Sequence, residues 1–383
     1  MKEYKEILQL IKASQFSETA PPIRQDCDWD AIYGEAVQQA IIGIVAGVVP
    51  KEVVASDKRW QQAILRQKAN YIRYCHAEDE LKRVLDEADI PFVILKGNAA
   101  AIYYKHPELR KMGDIDFIVL NSDYEKAKTI LTKNGYIEHH EEGPRHIGYK
   151  KDGISFELHH RFSHDDVDIE DYVIDGLNNR ILGKIEDHEF SMLPSLANGL
   201  VLLDHMKSHL KTGLGLRQII DWMMFVNGEL SDTVWFENFG NICKDIGLCK
   251  FAITVTRMCQ MYLGLPESIT WCWEADEALC KRLMANIVHT GNFGRKHGSG
   301  NSIEVVSSNI RRKGLFRYLQ IAGEHNWKAY KKHHWLKPFA WFYQIFRYAR
   351  QGFSSGRSRK QISGDVRRSK ERVELLEDLG IKQ

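Results

Sequence analysis

Much is missing from this chain of 383 residues, and each absence excludes something. No apolar run reaches the roughly 18 residues that a bilayer span requires, so no transmembrane helix is expected. The opening Met1-Lys2-Glu3-Tyr4-Lys5-Glu6 has no apolar stretch of the kind a secretory signal carries, and a cytoplasmic location is the expectation. The seven cysteines, Cys27, Cys75, Cys243, Cys249, Cys259, Cys272 and Cys280, include no Cys-x-x-Cys pair. Their odd number argues against a fully paired disulfide framework and their spacing against a structural zinc site; reduced, partly buried thiols are the better reading. His205 and His209 stand four apart, a metal-ligand spacing, yet no acidic residue completes a His-Glu-x-x-His arrangement. There is no internal repeat and no long low-complexity tract.

A formal net charge of +2 hides an uneven distribution. From residue 306 to the end, 18 Lys and Arg face 6 Asp and Glu, a net of +12, which leaves the preceding 305 residues at −10. The basic end interleaves aromatics, as in Trp335-Leu336-Lys337-Pro338-Phe339-Ala340-Trp341-Phe342-Tyr343. Such a mixture suits a terminal helix whose aromatics pack on the body while its cations stay wet, an anionic membrane surface, or RNA. Packing is the favoured reading, because an aromatic stripe at helical spacing is usually core. The acidic remainder argues against an extended nucleic-acid track, so nucleic acid stays a minor option through this tail alone. Residues 351–360 read as a loop and 367–376 as a short charged helix.

What is present is ample apolar material, 44% of residues, enough for two or three packed units. Residues 1–88 read as helical, with a run from Trp60 to Leu85 that neither Gly nor Pro interrupts. Between 89 and 193, short apolar strands near Phe92, Ile115, Tyr136, Ile147 and Phe156 alternate with helices at Ala99 and from Asp123 to Asn134. Asn121-Ser122-Asp123 offers a cap for the second helix and Gly135 a stop. From 194 to 305 the pattern is helical again, through Leu196–Leu210, Leu216–Val226, Trp235–Ile246 and Lys250–Leu263, and 306–383 is the basic, aromatic-rich helical end. The expected class is α+β: a small mixed sheet with flanking helices, a helical segment before it and a larger helical region after it.

Within the sheet region, Gly113-Asp114-Ile115-Asp116-Phe117-Ile118-Val119 sets two carboxylates two residues apart at the start of an apolar, β-branched run. Alternation along a strand points both to one face, where mutual repulsion and lost hydration would be relieved by a divalent cation. A turn-capping Asp114 and a solvent-facing Asp116 are the plainer alternative. Upstream, Pro91–Leu95 runs through Lys96-Gly97-Asn98 into Ala99–Tyr104, a strand, tight turn and helix of the sort that aims backbone N–H groups at phosphate. Downstream, Ile154–His160 alternates so that Ser155, Glu157 and His159 share a face. Glu157 is thereby a candidate third carboxylate and His159 a candidate to orient it or touch substrate, while His160 points the other way.

Together these residues resemble the nucleotidyltransferases of DNA polymerase β-like fold, and more closely a bacterial branch of uncharacterised nucleotidyltransferases. The resemblance covers roughly residues 60–300. It rests on Leu95-Lys96-Gly97, on Tyr104-x-x-Pro107-x-x-Arg110, on Asp114-Ile115-Asp116-Phe117 and on Glu157-Leu158-His159. A second block, His205, His209, Gly215-Leu216-Arg217 and Asp221, is similar too. The resemblance implies two magnesium ions, with manganese as the alternative, on Asp114, Asp116 and Glu157, and a nucleoside triphosphate held at Lys96, Gly97, Asn98 and Arg110. It further implies transfer of a nucleoside monophosphate to a hydroxyl on a small molecule, sugar or protein, with loss of pyrophosphate. Two residues depart from the pattern: Asn98 stands where Ser is usual, and Glu157 where Asp is commoner.

Alternatives stay open at several positions. Arg110 is equally placed to pair with the acidic cluster, and Lys96 to be merely solvated. For His205 and His209 a buried hydrogen-bond network with Asp204, Arg217 or Asp221 is favoured over direct catalysis, while the resemblance implies that this block packs beside the site and helps form the acceptor pocket. Two other function classes stand beside the enzyme: a catalytically weak relative that binds nucleotide or a partner protein, motivated by Asn98, and an RNA-directed transferase, motivated by the basic tail.

Overall fold

A computed structural model describes residues 2–17, 23, 27–140, 145–163, 168–210, 213–291, 314–327, 329–330, 333–354 and 370–381. Its contacts divide the chain into two compact units, Met1–Asn292 and Phe293–Gln383.

Among the described residues of the first unit, five helices precede the sheet: α1 (Lys2–Phe16), α2 (Trp29–Gln38), α3 (Ile42–Ala46), α4 (Lys51–Ser56) and α5 (Lys58–Asp86). The long α5 starts where the Asp57 carboxylate accepts from the Arg59 backbone N–H. Its buried residues Trp60, Ala63, Gln67, Tyr71, Glu78, Leu81 and Leu85 recur at three- and four-residue spacing, so one stripe faces inward. A glutamate in that stripe demands partners.

The sheet has seven strands, β1 (Phe92–Leu95), β2 (Ile115–Val119), β3 (Ile137–His140), β4 (His146–Lys151), β5 (Ile154–His159), β6 (Ile181–Ile185) and β7 (His188–Met192), in the order β3-β4-β5-β2-β1-β7-β6. It is mixed: β2 runs parallel to β5 and β1 parallel to β7, and the other neighbours are antiparallel. Alternation sorts its faces. Phe92, Ile94, Ile115, Phe117, Val119, Phe156 and Leu158 join Leu81 and Leu85 of α5 in one core, together with Ala127 and Leu131 of α7 (Tyr124–Lys133). The opposite face carries Asp116, Glu157 and His159 beside the fully buried Val93 and Leu95.

One local expectation is corrected. No side chain of Asn121, Ser122 or Asp123 caps α7; those residues form a 3₁₀ turn that leads straight into the helix, so the entry is made by backbone geometry instead. Gly135, at φ +81°, does sit just past the helix end. The β6–β7 hairpin was not anticipated, because its outer strand exposes Ile181 and Leu182 and lacks a clean alternation.

Besides the one-turn α6 (Gly97–Ala101), helices α8 (Glu170–Asn178), α9 (Ser195–Leu210), α10 (Leu216–Glu229), α11 (Asp232–Val234), α12 (Gly240–Asp245), α13 (Cys249–Leu263) and α14 (Glu277–Thr290) complete the first unit. A π-helical turn, Trp235–Phe239, interrupts what read as one helix. In the second unit the helices Leu315–Asn326 and Ala340–Ser354 pack on each other, with Trp327 stacked on Tyr343 at 5.1 Å and Phe316 against Trp341 at 5.6 Å. Residues 355–369, which include most of the expected loop and the start of the expected charged helix, lie outside the described residues.

Candidate active site

The site is assembled where β2 and β5 run side by side. Their parallel register sets Asp116 opposite Glu157 and Ile118 opposite His159, and on the far side of β5, His146 of β4 pairs with His159. Strand alternation then carries Asp116, Glu157, His159 and His146 to one face. His159 Nε2 lies 3.2 Å from Asp116 Oδ1 and 3.5 Å from Glu157 Oε2, so one imidazole nitrogen touches both carboxylates. His146 Nε2 is 4.0 Å from the same Glu157 oxygen.

From the other side comes Lys96, at the end of β1. Its Nζ donates to Asp116 Oδ1 at 2.7 Å, so it is not the solvated lysine that was the plainer alternative. The residue holds φ +56°, a backbone region that a non-glycine residue occupies at a cost of order 1–3 kcal/mol. The next residue, Gly97, is also at positive φ, +38°. The strained turn aims the ammonium at the carboxylates.

The charges follow from these contacts. Burial opposes ionisation of Asp116, but the Lys96 ammonium and the His159 hydrogen bond outweigh it and hold that carboxyl well below the usual range. Asp114, exposed just ahead of β2, is shifted the other way, by partial desolvation and then by the negative charges of Glu157 and Asp116. For His159, burial disfavours the imidazolium, yet its hydrogen bonds to Asp116 and Glu157 win and raise it. His146 is lowered by burial and by His159 beside it. The pair thus favours one charged and one neutral ring.

Three ligand-type atoms of His146, Glu157 and His159 lie within 4.8 Å of one another. Carboxylate oxygens of Asp116 and Glu157 and the His146 imidazole thus stand on one face, donor types that suit a divalent cation, while His159 would have to give up its proton to join them. Lys96 already neutralises part of the Asp116 charge from the other side. His146 was not among the sequence candidates. Its signal, a histidine sharing parity with Gly148 on a strand antiparallel to that of Glu157, becomes readable only once the β4–β5 register is known.

The structure seats the remaining candidates in different places. Asn98 is fully buried and its side chain turns away from the carboxylates, donating to Glu78 Oε2 at 2.9 Å. The same glutamate oxygen lies 2.9 Å from His188 Nε2, whose Nδ1 faces Asp79 at 3.0 Å. Arg110 is buried and bidentate on Asp221 of α10, at 2.7 and 2.8 Å, so its ion pair is made with an acid 111 residues away and not with the Asp114 cluster. Arg217 donates to the Lys111 carbonyl at 3.3 Å, just ahead of Asp114. On α9, His205 is held neutral, well below its ordinary value, by burial and by the Lys96 and His209 charges, which puts it within electrostatic reach of the site. Its ring packs edge-on against His209 at 4.4 Å. His160 leaves the site face and packs on Tyr124 at 4.3 Å.

The turn's underside yields a pH dependence. Burial disfavours the charged His188, but the Glu78 hydrogen bond and the Glu78 and Asp79 charges outweigh it and raise its pKa. A raised histidine contributes stability that is fully present below its unfolded value of about 6.5 and is lost as pH rises through the folded one. Thermal midpoints taken from about pH 6 to about pH 8.5 are therefore expected to fall further for the wild-type chain than for His188→Gln.

Among curated proteins nothing matches this chain. Among solved structures it is similar to an antigenic nucleotidyltransferase-like protein from Paracoccidioides brasiliensis, at 12% identity over 51% of this chain and 95% of that one, with a TM-score of 0.31, a likeness too slight to carry an argument. The family model of the uncharacterised nucleotidyltransferases matches residues 25–264, a span that contains the Lys96 turn, both aspartates, Glu157, both site histidines and the α9–α10 block. The chain belongs to the uncharacterised nucleotidyltransferase family.

Proposed function

We propose that the chain transfers a nucleoside monophosphate from a nucleoside triphosphate to a hydroxyl acceptor at the face built by Asp114, Asp116 and Glu157. The observation that carries this reading is the register of Asp116 against Glu157 on adjacent parallel strands, with the Lys96 ammonium on the Asp116 oxygen. Asp114, Asp116 and Glu157 would hold magnesium, and His146 and His159 beside them would admit manganese. Bound there, the ions would neutralise phosphate charge and lower the pKa of the acceptor hydroxyl. Lys96, on a flexible four-carbon stem, can turn its ammonium from Asp116 to an incoming phosphate. His159 holds Asp116 and Glu157 in fixed relation by bridging them. Asn98 supports the turn from below, so a missing serine hydroxyl at that position removes no side-chain contact from this face.

The test is incubation of the purified chain with each of the four α-labelled nucleoside triphosphates, with magnesium or manganese, and with candidate hydroxyl acceptors. Label moving to an acceptor, with release of pyrophosphate, is the expected result. Nucleotide that binds but is never turned over would favour a binding protein instead.

A further inference from the structure

We propose that the helix Ala340–Ser354, with the 3₁₀ turn His334–Phe339 before it, is a docking surface for anionic lipid bilayers. Its described aromatics divide into two sets. Trp341 and Tyr343 are consumed inside the second unit, against Phe316 and Trp327. Trp335, Phe339, Phe342 and Phe346 instead stand 72, 55, 62 and 63% exposed, and Ile345 beside them 42%. Phe339 next to the helix start, Phe342, Ile345 and Phe346 recur at three- and four-residue spacing and form one apolar stripe along the helix, with exposed Trp335 in the 3₁₀ turn before it. Only the first set is packed within this unit. Holding such a stripe in water forgoes the gain of burial, and an apolar face of this kind marks an interaction site.

The occupant is identified by charge. From Arg311 to Lys360 the sequence has thirteen Lys and Arg against one acid, Glu324. Exposed Lys337 and Arg350, with half-buried Arg347, flank the stripe. A helix with bulky apolar residues on one side and cations around them lies in the plane of a bilayer, rings in the headgroup region and cations on anionic headgroups. No described helix is long and apolar enough to cross a membrane, which fits an in-plane mode. Single-stranded RNA is the weaker fit, because the exposed face includes aliphatic Ile345, which cannot stack on a base.

The test mixes the full chain with phosphatidylcholine vesicles, with vesicles containing about 30 mol % phosphatidylglycerol, and with single-stranded RNA. Sedimentation with the anionic vesicles should exceed that with neutral ones at least about tenfold, and Phe342→Ser/Phe346→Ser should reduce it about tenfold or more. Arg347→Gln/Arg350→Gln should reduce it less and weaken its salt dependence. Trp335 emission, read as the difference between wild type and Trp335→Phe, should shift to the blue on vesicle addition. Because Phe342 and Phe346 are exposed, their variant should keep the wild-type unfolding midpoint. The proposal is overturned by absence of vesicle binding, or by vesicle binding that the phenylalanine pair does not alter. RNA binding without vesicle binding overturns it too, as does a dimer that the phenylalanine variant dissociates in a chain that ignores vesicles.

Discussion

Asp116→Asn is expected to lower nucleotide transfer by more than about a hundredfold while the chain still folds, since even residues one step removed from a metal ligand cost 10–100-fold. Asparagine keeps the size and one carbonyl oxygen of aspartate, so the bond from Lys96 Nζ, now 2.7 Å from Oδ1, has an acceptor to return to. What disappears is the negative charge, and this buried carboxylate is the one that both Lys96 and His159 contact. Losing a charge-assisted bond at a site of this kind costs about 1–3 kcal/mol of stability, small enough to leave the fold standing. Label transfer and thermal unfolding measured on the same preparation separate the two effects. Retained transfer by a folded Asp116→Asn chain would remove the face from consideration as the active site.

Part of that site is legible in the residues themselves because it depends on local alternation. In Ile115-Asp116-Phe117 and Phe156-Glu157-Leu158 an acid sits between two apolar residues, and the period of two sends it to the face opposite the core. The same period placed His159 beside Glu157 and sent His160 away. Where placement depended on something other than period, the sequence was mute or misleading. The direction of Asn98 is set by two consecutive positive φ values at Lys96 and Gly97, which no alternation rule supplies. Its partner was readable in principle: Glu78 occupies a buried position in the α5 stripe, where an acid needs donors. Arg110 pairs with Asp221, far along the chain on α10, so sequence proximity to Asp114 is no guide to its ion-pair partner.

The Arg110–Asp221 pair carries a large expected stability effect. Asp221→Ala should lower stability by about 3–5 kcal/mol, because it strands a buried guanidinium with no counter-charge. Arg110 Nε donates to Oδ1 at 2.7 Å, Nη2 donates to Oδ2 at 2.8 Å, and the Tyr104 hydroxyl donates to Oδ1 at 2.6 Å, so one carboxylate serves three donors. Burial alone would lower the Arg110 pKa; the Asp221 charge and its hydrogen bonds overcome that and raise it. For a cooperative unit the size of Met1–Asn292 the loss corresponds to a drop in unfolding midpoint of about 5–8 °C. Replacing both partners by apolar residues of similar volume, as in Arg110→Met/Asp221→Leu, should cost much less, because no uncompensated charge is left buried. A double variant as unstable as Asp221→Ala would overturn the account. Transfer activity is expected to part company with stability in that double variant. Tyr104 and Arg110 bracket the turn that leads to Asp114, and Arg217 reaches from the same helix as Asp221 to the Lys111 carbonyl. Restoring the packing without the ion pair leaves that turn held by fewer directional bonds, so midpoint should recover while transfer stays depressed.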